Sequence, residues 1–273
     1  MFEAIDRVFL MTDLDGTLLS TDKSICPDNI DAIERFRNNG GRFSIATGRT
    51  LQTAVRYIEE LEIADPVILY NGSCIYDPKN DKILYTSPLP ESAYDYALRI
   101  FKAFPQVGAE VLIPDGTYIV KMNAHEEDHA NYCTVPPVYC NIDEVPKGEW
   151  LKMLFAMSPE DISKLAEFAA EESFDGVTFV RSDDIFYEML PDGTSKGSAL
   201  NVLRDILSEE KLTFAAAGDY HNDAELVGNA DLGAAPSNAQ ECVKEAADIV
   251  LNASCDDGAI AEFISVIESK IQI

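Results

Sequence analysis

Short apolar segments alternate with amphipathic ones in the first third of the chain, and this alternation constrains the fold most. Residues 8–12, 42–47 and 67–70 have the length and apolar content of buried strands. Residues 27–39 and 51–61, which lie between them, repeat apolar side chains at helical spacing. Strands that alternate with helices in this way predict an α/β fold with a parallel sheet between helices.

The pattern changes at about residue 87. Residues 74–76 and 82–85 predict a first hairpin. Residues 107–113 and 117–122 then flank a Pro-Asp-Gly turn and predict a second one. Further strands are predicted at 151–157, 177–181 and 185–190, and a helix with Ser158 as its N-cap at 158–173. Hairpins with a helix indicate a separate α+β unit.

The alternation of strands and helices resumes at Ser195. Helices are predicted at 196–207, 223–228 and 258–269, and strands at 213–218 and 248–251. We therefore predict that residues 1–86 and 191–273 form one catalytic core. Residues 87–190 would form an α+β cap that is inserted into this core.

The formal net charge of −27 for 273 residues limits the possible partners. Nucleic acids and anionic membranes bind through Lys and Arg, so we expect neither as a partner. A phosphorylated substrate would need a locally positive site. No apolar segment approaches the roughly 20 residues of a membrane span, and no signal peptide is recognisable, so we expect a cytoplasmic protein. The six cysteines include no C-x-x-C pair and are expected to be reduced.

Four short polar motifs follow predicted strands or begin a predicted helix. They are DLDGT at 13–17, TGR at 47–49, KG at 196–197 and GDYHND at 218–223. The carboxyl ends of parallel strands gather ligand sites, so the acids of the first and last motifs would converge if their two strands are neighbours. These acids are Asp13, Asp15, Asp219 and Asp223.

The residue types in these motifs suit phosphate chemistry. Carboxylates without His or Cys favour a hard cation, Mg²⁺ in particular. Lys196 can neutralise phosphate charge, and Thr47 lies where backbone N–H groups can hold phosphate oxygens. Two acids two positions apart can divide the roles of nucleophile and acid/base. Each motif alone also fits a structural role, such as helix capping by Asp219 and Asp223. Their order and placement together favour the functional interpretation.

These motifs resemble those of the haloacid dehalogenase-like hydrolases, and in particular their Cof-type phosphatases. The resemblance extends over LYNGSCIYD at 69–77, SKGSAL at 195–200 and DDGAIAEFI at 256–264. It implies a Rossmann-like core with a C2B-like α+β cap, and Mg²⁺-dependent hydrolysis of a small phosphate monoester. The segment 230–239 departs from the family pattern at Asp231 and Pro236.

The resemblance also implies roles for individual residues. Asp13 would be the nucleophile, forming an aspartyl-phosphate, and a metal ligand. Asp15 would be the general acid/base and would give its backbone carbonyl to the metal. Asp219 would bind Mg²⁺, supported by Asp223. The substrate-binding residues would be Thr47, Lys196 and Asn222, with Gly48 and Arg49 as further substrate contacts.

Three alternatives to a phosphatase are open at this point. The first is a sugar phosphomutase, which shares the same motifs. For the phosphatase itself, the resemblance suggests a sugar phosphate as the substrate. A non-catalytic phospho-ligand binder would need Thr47 and Lys196 but neither Asp13 nor Asp15. Finally, His125 to His129 spells H-E-x-x-H, the pattern of a zinc peptidase helix. The interpretation as an exposed polar helix start is favoured, because a third histidine ligand is lacking.

Overall fold

The computed structural model describes residues 4–132 and 136–271. These residues fall into two compact units. The first unit comprises the chain up to Thr47, residues Tyr57–Leu84 and the chain from Ser195 onward; the second comprises Gly48–Arg56 and Tyr85–Thr194. The limits predicted for the cap, 87 and 190, stay a prediction. Cys133 lies outside the described residues, and Cys26, Cys74, Cys140, Cys242 and Cys255 are free thiols.

One segment groups differently from the predicted domain division. Residues Gly48–Arg56 belong to the second unit, although the sequence analysis placed them in the core. Side chains account for this grouping. The Gln52 amide donates to the carbonyl of Pro114 at 2.7 Å, and Lys152 Nζ donates to the carbonyl of Gly48 at 2.9 Å.

A parallel sheet forms the centre of the first unit. Among the described residues it has five strands in the order β14-β13-β12-β1-β2. They are β1 (Val8–Thr12), β2 (Arg42–Ile45), β12 (Thr213–Ala217), β13 (Leu232–Ala235) and β14 (Ile249–Val250). A smaller sheet has the order β3 (Val67–Leu69), β4 (Cys74–Asp77) and β5 (Lys82–Thr86). The helices of the first unit are α1 (Pro27–Asn38), α6 (Lys196–Ile206), α7 (Ala224–Asn229), α8 (Glu241–Ala246) and α9 (Ala259–Ser269). Helix α2 (Leu51–Glu60) begins in the second unit and ends in the first.

Strand β1 is an interior strand of the parallel sheet, between β12 and β2, and its five residues are all buried. A strand that is buried on both faces needs a continuous apolar run, which the sequence VFLMT provides with Thr12 as its one polar member. β1 pairs in parallel with both β2 and β12. This confirms the α/β fold and the predicted neighbourhood of the strands that precede the first and last motifs.

A sheet with both parallel and antiparallel strands forms the centre of the second unit. In the described part of the chain its order is β10-β11-β9-β6-β7-β8. The strands are β6 (Gly108–Ile113), β7 (Gly116–Lys121), β8 (Val138–Tyr139), β9 (Lys152–Ala156), β10 (Val177–Arg181) and β11 (Phe186–Pro191). The helices are α3 (Ala93–Ala103), α4 (Ala124–Tyr132) and α5 (Pro159–Glu171). Ser158 caps α5 as predicted, since its Oγ accepts from Asp161 N at 3.3 Å.

The two faces of this mixed sheet differ in chemistry. Alternate residues of the central strands, such as Val111 and Met153, join an apolar core with side chains of α3 and α5. The intervening positions of three strands carry Glu110, Lys152 and Glu188, all buried. One face is therefore an ordinary hydrophobic core, and the other contains buried charges that need partners.

No helix among residues 4–132 and 136–271 has both the length and the apolar character needed to cross a membrane. Several elements were not predicted from sequence, namely α3, α8, β8 and β13. The segment of α4 was interpreted as an exposed helix start, but this is wrong for Glu126, which is fully buried. Helix α4 lies so close to β6 that a side chain at Gly108 would meet the Cβ atom of Glu126 at 2.7 Å.

Candidate active site

Asp13 follows β1 directly, and the sheet fixes its position. Its backbone N–H donates to the carbonyl of Ala217 in β12 at 2.9 Å. The Asp13 side chain is buried. Thr12 Oγ1 donates to the Asp13 carbonyl at 2.9 Å. The first acid of the DLDGT motif is thus held at the carboxyl end of β1, where a parallel sheet gathers its ligand site.

Lys196 joins two of the predicted acids. It is the first residue of α6, which Ser195 caps by accepting from Ser198 N at 2.9 Å. Its Nζ donates to Asp13 Oδ1 and to Asp223 Oδ1, each at 2.6 Å. The Lys196 side chain is only 2% exposed. A lysine at this depth is stable because carboxylates surround it.

The ionisation of this cluster follows from burial and charge. Burial raises the pKa of Asp13 well above its ordinary value, and the Lys196 ammonium opposes that rise. Burial alone would lower the pKa of Lys196, but Asp13 and Asp223 raise it above its ordinary value. Lys196 is therefore charged, and the carboxyl groups of Asp13 and Asp223 share its single ammonium.

Residues of the DLDGT motif, as well as the loop that carries Asp219, fix the position of the Asp219 side chain. Thr17 Oγ1 donates to Asp219 Oδ1 at 2.7 Å. Gly16 has a φ of 83°, and a side chain there would meet Asp219 Oδ2 at 2.4 Å. Only glycine permits both this backbone conformation and this close approach. Burial and the charge of Asp223 raise the pKa of Asp219 to about 7.

Asp223 is the most enclosed acid of the site, with 0% exposure. While its Oδ1 accepts from Lys196, its Oδ2 accepts from the backbone N–H groups of Asp219 and Tyr220, each at 3.1 Å. The GDYHND segment therefore folds around this carboxylate. Asp223 both orients Lys196 and fixes the loop that carries Asp219.

Three carboxylates have the spacing of a metal site. Asp13, Asp219 and Asp223 each offer an oxygen, and these oxygens all lie within 4.8 Å of one another. This was the one such cluster found among the described residues, and it contains neither His125 nor His129. An all-oxygen, strongly negative donor set fits a hard divalent cation such as Mg²⁺. His129 Nε2 instead faces Glu110 Oε1 at 3.4 Å.

Asp15 lies in different surroundings from Asp13. Its carboxylate is about one-third exposed and accepts from Lys23 Nζ at 3.0 Å. It is not a member of the carboxylate cluster. An accessible carboxyl group beside a buried one suits proton transfer to and from a substrate better than it suits a role as a closed metal ligand.

The predicted phosphate-binding residues Thr47 and Asn222 are linked through Asn71. The Asn71 N–H donates to the Thr47 carbonyl at 3.1 Å. Asn222 Nδ2 donates to Asn71 Oδ1 at 3.0 Å. Gly48 and Arg49 follow Thr47 in the chain, belong to the second unit and are half-buried.

Thr17, Lys23 and Asn71 were not assigned individual roles in the sequence analysis. Thr17 and Asn71 do lie inside the quoted DLDGT and LYNGSCIYD segments. Their place inside these segments is the sequence feature that could have identified these two residues, whereas no motif included Lys23.

Comparisons with known proteins agree with this geometry. Residues 10–264 match the family model described as haloacid dehalogenase-like hydrolase. A putative phosphatase YxeH of Bacillus subtilis is 29% identical, covering 90% of this chain and 93% of that protein. The 5-amino-6-(5-phospho-D-ribitylamino)uracil phosphatase YitU of the same species is 25% identical, covering 92% and 94%.

The fold is also found among solved structures. A haloacid dehalogenase-like hydrolase from Bacteroides thetaiotaomicron superposes with a TM-score of 0.81 at 23% identity, covering 95% of this chain and 98% of that one. At this identity the match supports the fold alone. Together with the family match over most of the sequence, it leads to one conclusion: the chain belongs to the haloacid dehalogenase-like hydrolases.

Proposed function

We propose that this phosphoric monoester hydrolase cleaves a small phosphate monoester through an aspartyl-phosphate on Asp13. The observation that carries the proposal is the contact of Lys196 Nζ with Asp13 and Asp223 at 2.6 Å, beside Asp219. Asp13 is a buried carboxylate beside the Lys196 ammonium and two further candidate metal ligands. These are the surroundings expected of a nucleophile that attacks a phosphate ester.

The carboxylate cluster would hold the cation. Asp13 and Asp219 are the proposed carboxylate ligands, with Asp223 as a supporting residue and the backbone carbonyl of Asp15 as a further ligand. Bound Mg²⁺ would neutralise charge on the transferring phosphoryl group. The close approach of oxygens of Asp13, Asp219 and Asp223 supports this, since a divalent cation would offset the repulsion between ionised carboxylates.

Asp13 and Asp15 would act in sequence. An oxygen of the Asp13 carboxylate attacks phosphorus, and the bond between phosphorus and the ester oxygen breaks. Asp15 gives its proton to the departing alkoxide. Asp15 then takes a proton from water, which attacks the same phosphorus, and inorganic phosphate leaves Asp13. The greater exposure of the Asp15 carboxylate supports this division of roles.

The remaining residues would bind the phosphoryl oxygens. Lys196 supplies positive charge, Thr47 a hydroxyl and Asn222 an amide N–H. Gly48 and Arg49 are proposed as contacts to the rest of the substrate. A small phosphorylated metabolite fits this set, and the phosphoribitylamino-uracil substrate named for one relative belongs to that class. A sugar phosphate is our first candidate.

The test uses two matched variants of the DLDGT motif. Asp13→Asn should lower kcat for p-nitrophenyl phosphate by at least about 1,000-fold, because the covalent step loses its nucleophile. Asp15→Asn should retain the first step with this substrate, since p-nitrophenolate leaves without a proton, and should accumulate phosphoenzyme. Stopped-flow absorbance would record a burst of nitrophenolate, and intact-mass spectrometry the added phosphoryl group. A tenth of wild-type turnover in Asp13→Asn would refute the mechanism.

The alternatives predict different products. A sugar phosphomutase would convert a hexose 1-phosphate into its 6-phosphate and would require a bisphosphate activator, with little release of inorganic phosphate. A phospho-ligand binder would bind phosphate without turnover. A panel of phosphorylated metabolites, assayed for released phosphate and for isomerised product, separates the three.

A further inference from the structure

The turn Tyr70–Gly72, which follows β3, has an unusual backbone. Its three residues have positive φ angles of 52°, 55° and 103°. Tyr70 and Asn71 are buried, and residues other than glycine adopt this left-handed conformation at a cost. Such conformations persist only where the surrounding structure enforces them, and they concentrate at functional sites.

Asn71 uses both its backbone and its side chain to contact the candidate site. Its N–H donates to the carbonyl of Thr47 at 3.1 Å, and Thr47 N in turn donates to the carbonyl of Ile68 at 2.9 Å. Its Oδ1 accepts from Asn222 Nδ2 at 3.0 Å. A single buried residue thus contacts both the TGR and the GDYHND motifs.

The same turn also packs against the third motif. A side chain at Gly72 would lie 2.1 Å from the carbonyl oxygen of Ser195, so the two backbones are in direct contact. Ser195 caps the helix whose first residue is Lys196. The left-handed conformation lets the turn approach all three segments together.

We propose that Asn71 is a positioning residue that orients Asn222 and Thr47 for phosphate binding. This inference rests on the proposed function, in which those two residues hold the phosphoryl oxygens. An amide nitrogen carries two hydrogens, so the bond to Asn71 leaves one N–H of Asn222 to donate to phosphate. The same bond fixes the direction of that N–H, and the backbone bond fixes the Thr47 segment.

The variant Asn71→Gly distinguishes the contribution of the Asn71 side chain from that of its backbone. Glycine adopts the left-handed conformation readily and retains the N–H bond to Thr47, but it removes the acceptor for Asn222. We expect the inhibition constant of inorganic phosphate and the KM for p-nitrophenyl phosphate to rise about tenfold, as for the loss of one orienting hydrogen bond. The fall in kcat should be smaller. The melting temperature should stay above that of Asn71→Ala, which strains the backbone as well.

A double-mutant cycle shows whether Asn71 acts through Asn222. In an Asn222→Ala background, Asn71→Gly should add no further loss of phosphate affinity. Unchanged phosphate inhibition in Asn71→Gly, an undiminished penalty in the Asn222→Ala background, or loss of cooperative unfolding would each overturn the proposal. If Asn222→Ala itself leaves phosphate inhibition unchanged, the proposed role of Asn222 fails, and with it the route through which Asn71 acts. An active Asp13→Asn enzyme would instead refute the proposed mechanism.

Discussion

Asp13 and Asp15 lie two positions apart in the chain, yet their carboxyl groups have different surroundings. Asp13 ends a buried strand and faces Lys196, whereas Asp15 is partly exposed and faces Lys23. Gly16 turns the chain with a φ of 83° directly after Asp15. The two identical carboxyl groups have different environments, which is how a single side-chain type can provide both a nucleophile and an acid/base.

A buried acid outside this site gives a pH-dependent prediction. Within the described part of the chain, the carboxyl oxygens of Glu126 have no hydrogen-bond partner of normal geometry. Burial, followed by the nearby charge of Glu110, raises the pKa of Glu126 from 4.5 to about 8. Between these values the folded protein binds the proton more tightly than the unfolded chain does. Glu126 therefore lowers the free energy of unfolding as pH rises through this window, by at most about 1.4 kcal/mol per pH unit.

Glu126→Gln should remove this dependence. The variant should match the wild type near pH 4.5 and exceed it in stability at pH 8, since the amide needs no proton to remain neutral. Urea denaturation at intervals between pH 5 and pH 8 measures the difference. Glu127→Gln changes an exposed neighbour on the same helix and is the control. Parallel pH profiles for the two variants would contradict the assignment.

At the level of residues, sequence patterns predicted the acids and Lys196 as candidates because each follows a strand or begins a helix. The geometry brings Asp13, Asp219, Asp223 and Lys196 together. Thr17, by contrast, contacts Asp219 across 202 positions of sequence, and such a pairing has no local signal. Glu126 was misinterpreted for a related reason, because its burial depends on the absence of a side chain at Gly108.

Among secondary-structure elements, most strands were predicted to within a few residues, but β13 was not. The residues of β13, LGAA, lack the β-branched and aromatic side chains that indicate a strand. Small residues are needed here, since a side chain at Gly233 would lie 2.2 Å from the carbonyl oxygen of Val227. Close packing between α7 and β13 thus removed the pattern that predicts the strand.

The buried ion pair between β9 and β11 gives a prediction at this scale. Lys152 Nζ lies 2.8 Å from Glu188 Oε1, and both side chains are 4% exposed. Ser182 Oγ also donates to Glu188 Oε1 at 2.8 Å. Lys152→Met should lower the free energy of unfolding by about 3–5 kcal/mol, because it removes the Lys152 ammonium from a buried, hydrogen-bonded ion pair. Urea denaturation measures the loss.

Two further variants show which interaction accounts for that loss of stability. Lys152→Met combined with Glu188→Gln should recover most of the stability, since the amide carries no charge and still accepts from Ser182. Lys164→Met, which breaks the exposed pair with Glu160, should cost less than about 1 kcal/mol. A double variant as unstable as Lys152→Met would show that the loss of the bond to the Gly48 carbonyl, rather than the loss of the charge pair with Glu188, dominates.

The whole molecule carries a formal charge of −27, so its carboxylate cluster lies in a repulsive field. A bound divalent cation should therefore stabilise the fold as well as support catalysis. We expect EDTA to abolish phosphatase activity and Mg²⁺ to restore it. Mg²⁺ should also raise the melting temperature relative to EDTA. Asp219→Ala should lose most of that rise and require far more Mg²⁺ for activity.

A control variant distinguishes binding of Mg²⁺ at the cluster from a general effect of ions on the charge of the protein. Asp115→Ala removes an exposed acid outside the cluster and should keep the full response to Mg²⁺. Full activity in EDTA, or activity restored by Zn²⁺ alone, would contradict a magnesium site. An equal melting response in Asp219→Ala and Asp115→Ala would show that Mg²⁺ acts on the overall charge and not at the cluster.

The order of strands also has a consequence for biosynthesis. β1 pairs with β12, so Val8 meets Thr213. On the ribosome the strand that carries Asp13 must therefore wait while roughly 200 further residues are made, and closing so long a loop is slow. Until then one edge of an apolar strand has no partner and is open to mispairing. The nascent chain is therefore most in need of chaperones before β12 (Thr213–Ala217) emerges, and the nucleophile reaches its working position among the last events of folding.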